Sequence, residues 1–154
     1  MRNFGEVTAT GIDVGLKTSL APTEKVKIDF SGNYSYQEVL NMNKQSNSYK
    51  SQLPYTPQNS GSASISLTNP YVNLAYSIII SGKRYFLDQN IPDNEMPSYT
   101  DHNVSINKTF KVKKNDLRLQ VDLLNLANRN YAIIKDYPMP GRSFVVSAKY
   151  NINN

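Results

Sequence analysis

The chain contains no cysteine and one histidine, His102. Disulfides and thiolate metal sites are therefore excluded, and a lone imidazole without thiols does not make a zinc-type site. No metal or other cofactor is expected. No apolar run approaches the roughly 20 residues of a membrane-spanning helix, and mean hydropathy is −0.51. That absence leaves barrel strands open, because they hide their apolar residues among polar ones. Helical periodicity is missing too; only residues 37–44 leave room for a turn of helix, and nothing demands one. No nucleophile elbow or comparable catalytic pattern is present, so no enzymatic activity is expected. Met1-Arg2-Asn3-Phe4 leads into no apolar stretch, so no signal peptide is expected there. For a membrane barrel, this implies that the chain is part of something longer.

The formal net charge is +5 and there are eleven tyrosines, a combination that can serve nucleic acid. Here Lys and Arg are spread along the chain among Asp and Glu. The one dense group, Lys111, Lys113 and Lys114, flanks a turn. Solvated turn charge accounts for it, and no nucleic-acid partner is expected.

What the chain does have is alternation. In Val26-Lys27-Ile28-Asp29-Phe30-Ser31-Gly32-Asn33-Tyr34-Ser35-Tyr36 every even position except Gly32 is apolar or aromatic, and the odd ones are polar. Successive side chains of a strand point to opposite faces, so such a segment is apolar on one face only. Six more segments repeat the pattern, around residues 11–17, 62–68, 72–81, 103–110, 117–123 and 143–152. The second of the seven is about as long as the roughly 9–11 residues a tilted strand needs to cross a bilayer.

The connections also alternate. Residues 21–24, 68–70 and 113–115 are tight turns, rich in residues that favour them. Loops 41–59, 82–99 and 128–141 are long and polar. An antiparallel up-and-down meander of about seven strands follows, plain at one end and elaborated at the other. Outer-membrane barrels sort their connections in this way, with short turns on the periplasmic side. Tyr34, Tyr36, Tyr71, Tyr85, Phe110, Phe144 and Tyr150 sit within or toward segment ends, where an aromatic girdle would place them.

Toward the C-terminal end, Asn125-Leu126-Ala127-Asn128 precedes Tyr131, and Pro138-Met139-Pro140-Gly141-Arg142 leads into a strand starting near Phe144. This resembles the C-terminus of TonB-dependent outer-membrane receptors, with Asn-Leu-Phe-Asp, a Tyr, a loop ending Pro-Gly-Arg and a last strand. Ala127 replaces the usual Phe. Leu53-Pro54-Tyr55-Thr56-Pro57 and Pro97-Ser98-Tyr99-Thr100 resemble two upstream signals of the family. Residues 1–49 fit through Gly11-Ile12-Asp13 opening a strand. The family usually ends on an aromatic; here Tyr150 stands nearest that place, and Asn151-Ile152-Asn153-Asn154 follows.

The resemblance implies a C-terminal part of a transmembrane barrel of about 22 strands in a Gram-negative outer membrane. It implies uptake of a scarce nutrient, such as a ferric siderophore, cobalamin or a glycan. The expected partners are outer-membrane lipid, the N-terminal barrel strands and plug that this sequence does not contain, and a small nutrient ligand. TonB contact is expected only through the plug.

The family-motif residues Asn125, Leu126, Asn128, Tyr131, Pro138, Pro140, Gly141, Arg142 and Phe144 are expected to act mainly structurally. The prolines fix the backbone and Gly141 permits a bend. Arg142 is expected at the lumen or rim, paired with Asp122 or Asp136. His102 reads as a surface histidine near a strand start. Asp13, Asp29 and Asp122 could form an acid–base pair, but lumen-facing charge explains them. Asn33-Tyr34-Ser35, Asn103-Val104-Ser105 and Asn107-Lys108-Thr109 are sequons that arise often by chance. The rival architecture is a soluble β-sandwich binding a ligand or carbohydrate. It requires Ile28, Leu74 and Leu119 to converge in a dry core.

Overall fold

The computed structural model describes residues 5–152. Met1-Arg2-Asn3-Phe4, on which the leader expectation rests, and Asn153-Asn154 lie outside the described residues. The strands are β1 (Val7–Thr23), β2 (Val26–Asn41), β3 (Asn59–Thr68), β4 (Asn73–Ser81), β5 (Arg84–Tyr85), β6 (Glu95–Met96), β7 (Tyr99–Val112), β8 (Asn115–Leu124), β9 (Ala132–Ile134), β10 (Tyr137–Pro138) and β11 (Ser143–Asn151). One 3-10 turn, Pro92–Asn94, precedes β6. Seven of the strands form a single antiparallel sheet in the order β1-β2-β3-β4-β7-β8-β11, and the short pairs β5/β6 and β9/β10 are ribbons within two of the long loops. All seven alternating segments are thus strands of one meander. The sheet is open, with β1 and β11 at its edges.

Register converts the alternation into two faces. One row across all seven strands reads Leu20, Ile28, Leu67, Leu74, Ile106, Val121, Val146. The neighbouring row on the other face reads Ser19, Asp29, Ser66, Ala75, Ser105, Asp122, Val145. A one-residue slip would exchange the two sets, so the pattern fixes the register. Ser31 and Ser64 join their hydroxyls at 2.8 Å on the polar face.

The apolar face packs against nothing. Leu74 is 38% exposed, Leu119 42% and Ile12 67%, and Ile28 is half-buried. Among the described residues Met96 is the one buried apolar side chain, while seven polar ones are buried. No second layer covers this sheet, and the sandwich requirement for a converging core is not met. An apolar face of this extent left in water would cost roughly 25 cal/mol per Å². Hydrocarbon removes that cost, and a membrane barrel is the setting in which such a face is stable.

Two expectations need correction. Residues 37–41 form no turn of helix; they finish β2, because Val7 to Gly11 of β1 supply a ladder for them. For the same reason β1 begins at Val7, ahead of Gly11. In the fifth segment, residues 103–110, a lysine interrupts the apolar set. Lys108 lies on the outward face opposite Leu119, with its ammonium 5.3 Å from the Phe110 ring centroid. Its long stem lets the charge reach beyond the apolar surface.

Candidate functional site

The long connections gather at one end of the sheet and form a linked layer. The first, residues 42–58, doubles back on the projecting part of β2. Lys50 donates to the Asn41 carbonyl (2.7 Å), and Leu53 donates to that of Val39 (2.9 Å). Asn41, which is buried, donates from Nδ2 to Ser48 Oγ at 2.9 Å. This loop then grips the second. The Gln52 amide donates to Asn90 Oδ1 (2.6 Å), and Asn90 Nδ2 returns a bond to the Gln52 carbonyl (3.2 Å). The Tyr55 amide donates to the Tyr85 carbonyl at 2.8 Å.

Arg84 links the second loop to the third. It is 3% exposed, and its guanidinium donates to the carbonyls of Ala132 and Ile133. The same group lies 5.2 Å from the Tyr99 ring centroid. Tyr99 stacks on Tyr131 with centroids 4.3 Å apart and planes at 11°. The Tyr131 hydroxyl donates to Asp101 Oδ2 at 2.9 Å. Burial, and then the Asp101 carboxylate, push the Tyr131 hydroxyl up to about 12, since both disfavour a phenolate. Lys83 on the same loop donates to Glu95 at 3.2 Å, and that hydrogen bond holds its ammonium above the ordinary lysine value.

The Asn125 motif closes the third loop. Asn125 is 4% exposed and has φ 49°, a left-handed conformation that Asn tolerates better than most residues. Its Nδ2 donates to the carbonyls of Arg129 (2.9 Å) and Pro140 (3.1 Å), and its Oδ1 accepts from the Arg129 amide (2.9 Å). Its own amide donates to Asn103 Oδ1. Leu126 donates to the His102 carbonyl (2.8 Å) and accepts Arg142 Nε (3.0 Å). Asn128 Oδ1 accepts the Arg142 amide at 2.9 Å. A Cβ on Gly141 would stand 3.0 Å from that same oxygen, which is why the position suits glycine. Pro138 pairs with Ala132 in the β9/β10 ribbon, and Met139 donates to the Tyr131 carbonyl.

Eight of the nine motif residues therefore meet in or beside one knot. Phe144 does not; it points outward from β11 and is 72% exposed. Arg142 uses the Leu126 carbonyl, not the Asp122 or Asp136 carboxylate expected for it. Asp122 accepts from Gln120, and Asp136 pairs with Lys135. The three aspartates imagined as an acid–base group lie apart. Asp13 faces Ser35 and Asp29 faces Ser19, about six residues or roughly 20 Å along β1. Asp29 is paired with Lys27 at 2.7 Å. His102 engages Tyr76 Oη (2.6 Å) and Thr100 Oγ1 (3.2 Å) on the outward face. No group of three potential metal ligands exists among the described residues. The sequon asparagines are engaged: Asn33 with Ser62 and Asn107 with Asn73 across the sheet, and Asn103 with the Asn125 amide just past β8. Arg84 and the Gln52–Asn90 pair escaped the sequence reading, because their partners lie 38 to 49 residues away.

An open polar-lumen sheet with an outward apolar face, tight turns at one end and a tied loop layer at the other defines the wall of a transmembrane β-barrel. The profile of the TonB dependent receptor-like β-barrel family matches residues 1–126, and the chain belongs to that family. Among solved structures, the siderophore receptor PiuA from Acinetobacter baumannii is similar with a TM-score of 0.73 at 21% identity, over 92% of this chain and 21% of that one. BauA, the ferric preacinetobactin receptor of the same organism, is similar at 0.70 and 14% identity, over 95% and 27%. The chain thus spans about a quarter of each. Curated protein sequences give no match.

Proposed function

We propose that the chain is the C-terminal seven strands of a TonB-dependent receptor in a Gram-negative outer membrane. In this reading the complete protein takes up a scarce nutrient through its barrel, and TonB supplies the energy through a plug. The observation that carries it is the row from Leu20 to Val146, apolar across seven strands and uncovered. A ferric siderophore is the ligand we favour over cobalamin or a glycan, since both structural relatives above are siderophore receptors. The loop layer around Arg84, Tyr99 and Tyr131 is the surface that would meet it, and the Asn125 knot holds that surface without touching the ligand.

Parity sharpens the proposal. With seven antiparallel strands, β1 and β11 run in the same sense. A second copy placed the same way up would meet each edge in parallel, and one paired antiparallel would be upside down in the bilayer. An odd number of further strands satisfies both edges, and unsatisfied edges in lipid cost several kcal/mol per group. Reconstituted alone in liposomes, the chain is expected to move no ferric siderophore; joined to an odd-stranded N-terminal complement with its plug, it should bind one. Saturable uptake by the chain alone, or a stable monomer in plain buffer, would overturn the reading.

A further inference from the structure

We propose that the short-turn end of the outward face binds an anionic phospholipid, its acyl chains on an apolar groove between the first two turns and its phosphate against Lys25. The proposal rests on the membrane-barrel reading above and names a lipid for one place on that barrel.

Charge is the first observation. Segments 17–29, 66–75, 105–118 and 145–152 surround the short turns, and they hold nine of the seventeen Lys and Arg but three of the twelve carboxylates. Register sorts these cations. Lys17, Lys27, Lys111, Arg118 and Lys149 share the polar face. Lys108 points outward, and Lys25, Lys113 and Lys114 stand on turns. Neither Lys25 nor Lys113 has an ion pair among the described residues. A turn-borne ammonium without a carboxylate at the lipid boundary is complementary to a phosphate.

Shape is the second observation. A groove of about 540 Å³ lies between the turn after β1 and the turn after β3. Val26 and Leu67, on the outward side of their strands, line it with Val72, which precedes β4, and Lys25 and Tyr71 flank it. Tyr71 is 78% exposed, and a ring with a polar tip suits the headgroup level. The floor is continuous with the lipid-facing row through Leu67. An amphiphile with apolar tails and one negative head fits both halves of this groove. Anionic headgroups attract cations near a membrane surface with roughly a fivefold gain in partitioning for each Lys, from about 1 kcal/mol apiece.

The test uses the full chain with two kinds of vesicle, phosphatidylcholine alone and phosphatidylcholine mixed with phosphatidylglycerol. Flotation should show stronger association with the mixed vesicles, on the order of 100-fold if Lys25, Lys108 and Lys113 all contribute, and the preference should fade at high salt. The triple variant K25Q/K108Q/K113Q should lose the preference, whereas K17Q/K149Q, altered on the polar face, should keep it. Native mass spectrometry after extraction in non-ionic detergent should find phosphatidylglycerol retained by the unaltered chain and lost from Lys25→Gln. Equal association with both vesicles, or equal losses in both variants, would overturn the headgroup site while leaving the barrel standing. Association with neither would overturn the barrel reading and the inference together.

Discussion

Replacing Asn125 with Ala should open the third loop while leaving the sheet intact. The substitution removes three hydrogen bonds, to the carbonyls of Arg129 and Pro140 and from the Arg129 amide. Each is worth about 1 kcal/mol net, and the Asn125 side chain that makes them is 4% exposed. Alanine at φ 49° adds roughly 1 kcal/mol, since its Cβ crowds the carbonyl that Asn accommodates. The total, about 3–4 kcal/mol, corresponds to a rise of a few hundred-fold in the rate at which the Arg129 amide exchanges by local opening. Asn125→Gly loses the same bonds but fits the backbone, so its effect should be about fivefold smaller. Amide exchange of the chain in micelles can follow Arg129 and Arg142 against ladder amides of β3 and β4. If Arg129 keeps its protection in both variants, or if β3 and β4 lose theirs equally, the knot is not the local closure described here.

Adjacent residues of β3 test the two faces at one depth: Ile65→Arg should destabilise a membrane-inserted sheet by about 2–4 kcal/mol, whereas Ser64→Arg should cost far less. Denaturant titration in vesicles reads the difference, and equal losses would contradict the assignment of faces. The Tyr131 hydroxyl, raised to about 12, binds its proton more tightly folded than unfolded. Its contribution is therefore complete below about pH 10 and is lost as pH rises from about 10 to 12; difference ultraviolet titration of the unaltered chain against Tyr131→Phe should show this late tyrosinate. Gly141→Ala should lengthen the Arg142–Asn128 bond and cost about 1 kcal/mol, seen as faster exchange of the Arg142 amide with Arg129 unchanged.

The sheet was legible because a period of two is local: Ile28, Phe30 and Tyr34 announce their face without any knowledge of β3. Turn residues such as Asn69-Pro70 announce their positions in the same way. What escaped notice depended on partners far along the chain. Residues 37–41 look indifferent until Val7 to Gly11 pair with them. Arg84 is one basic residue in a polar loop until Ala132 and Ile133 turn their carbonyls toward it. Arg142 drew an ionic expectation from nearby carboxylates, yet its Nε donates to the Leu126 carbonyl. The Asn125 motif was visible as a pattern of residue types, but its physical reason, a left-handed asparagine serving three backbone groups, is a property of the folded loop.

Burial in this chain is reversed in two separate ways, and the reversals divide its stability. Across the sheet the large apolar residues are exposed, so the surroundings replace a core, and stability there follows whatever covers the face from Leu20 to Val146. In the loop layer the buried residues other than Met96 are polar, among them Asn41, Ser48, Gln52, Arg84, Asn94 and Asn125. Asn41, Gln52, Arg84 and Asn125 each hydrogen-bond backbone groups of the loops, through their side chains or, for Gln52, through its amide and carbonyl as well. Apolar replacements of equal volume in that layer remove the side-chain partners of those carbonyls and amides, whereas on the outward face they change little. A charge does the opposite, because exposed loop positions reach water, whereas on the outward face only a long stem such as that of Lys108 carries its charge beyond the apolar surface. Tolerance to substitution should therefore switch at the strand ends, near Ser81 and Tyr99 on one side and Leu124 on the other. In the proposed barrel that boundary is the membrane surface on the long-loop side, and substitutions across it would test the placement.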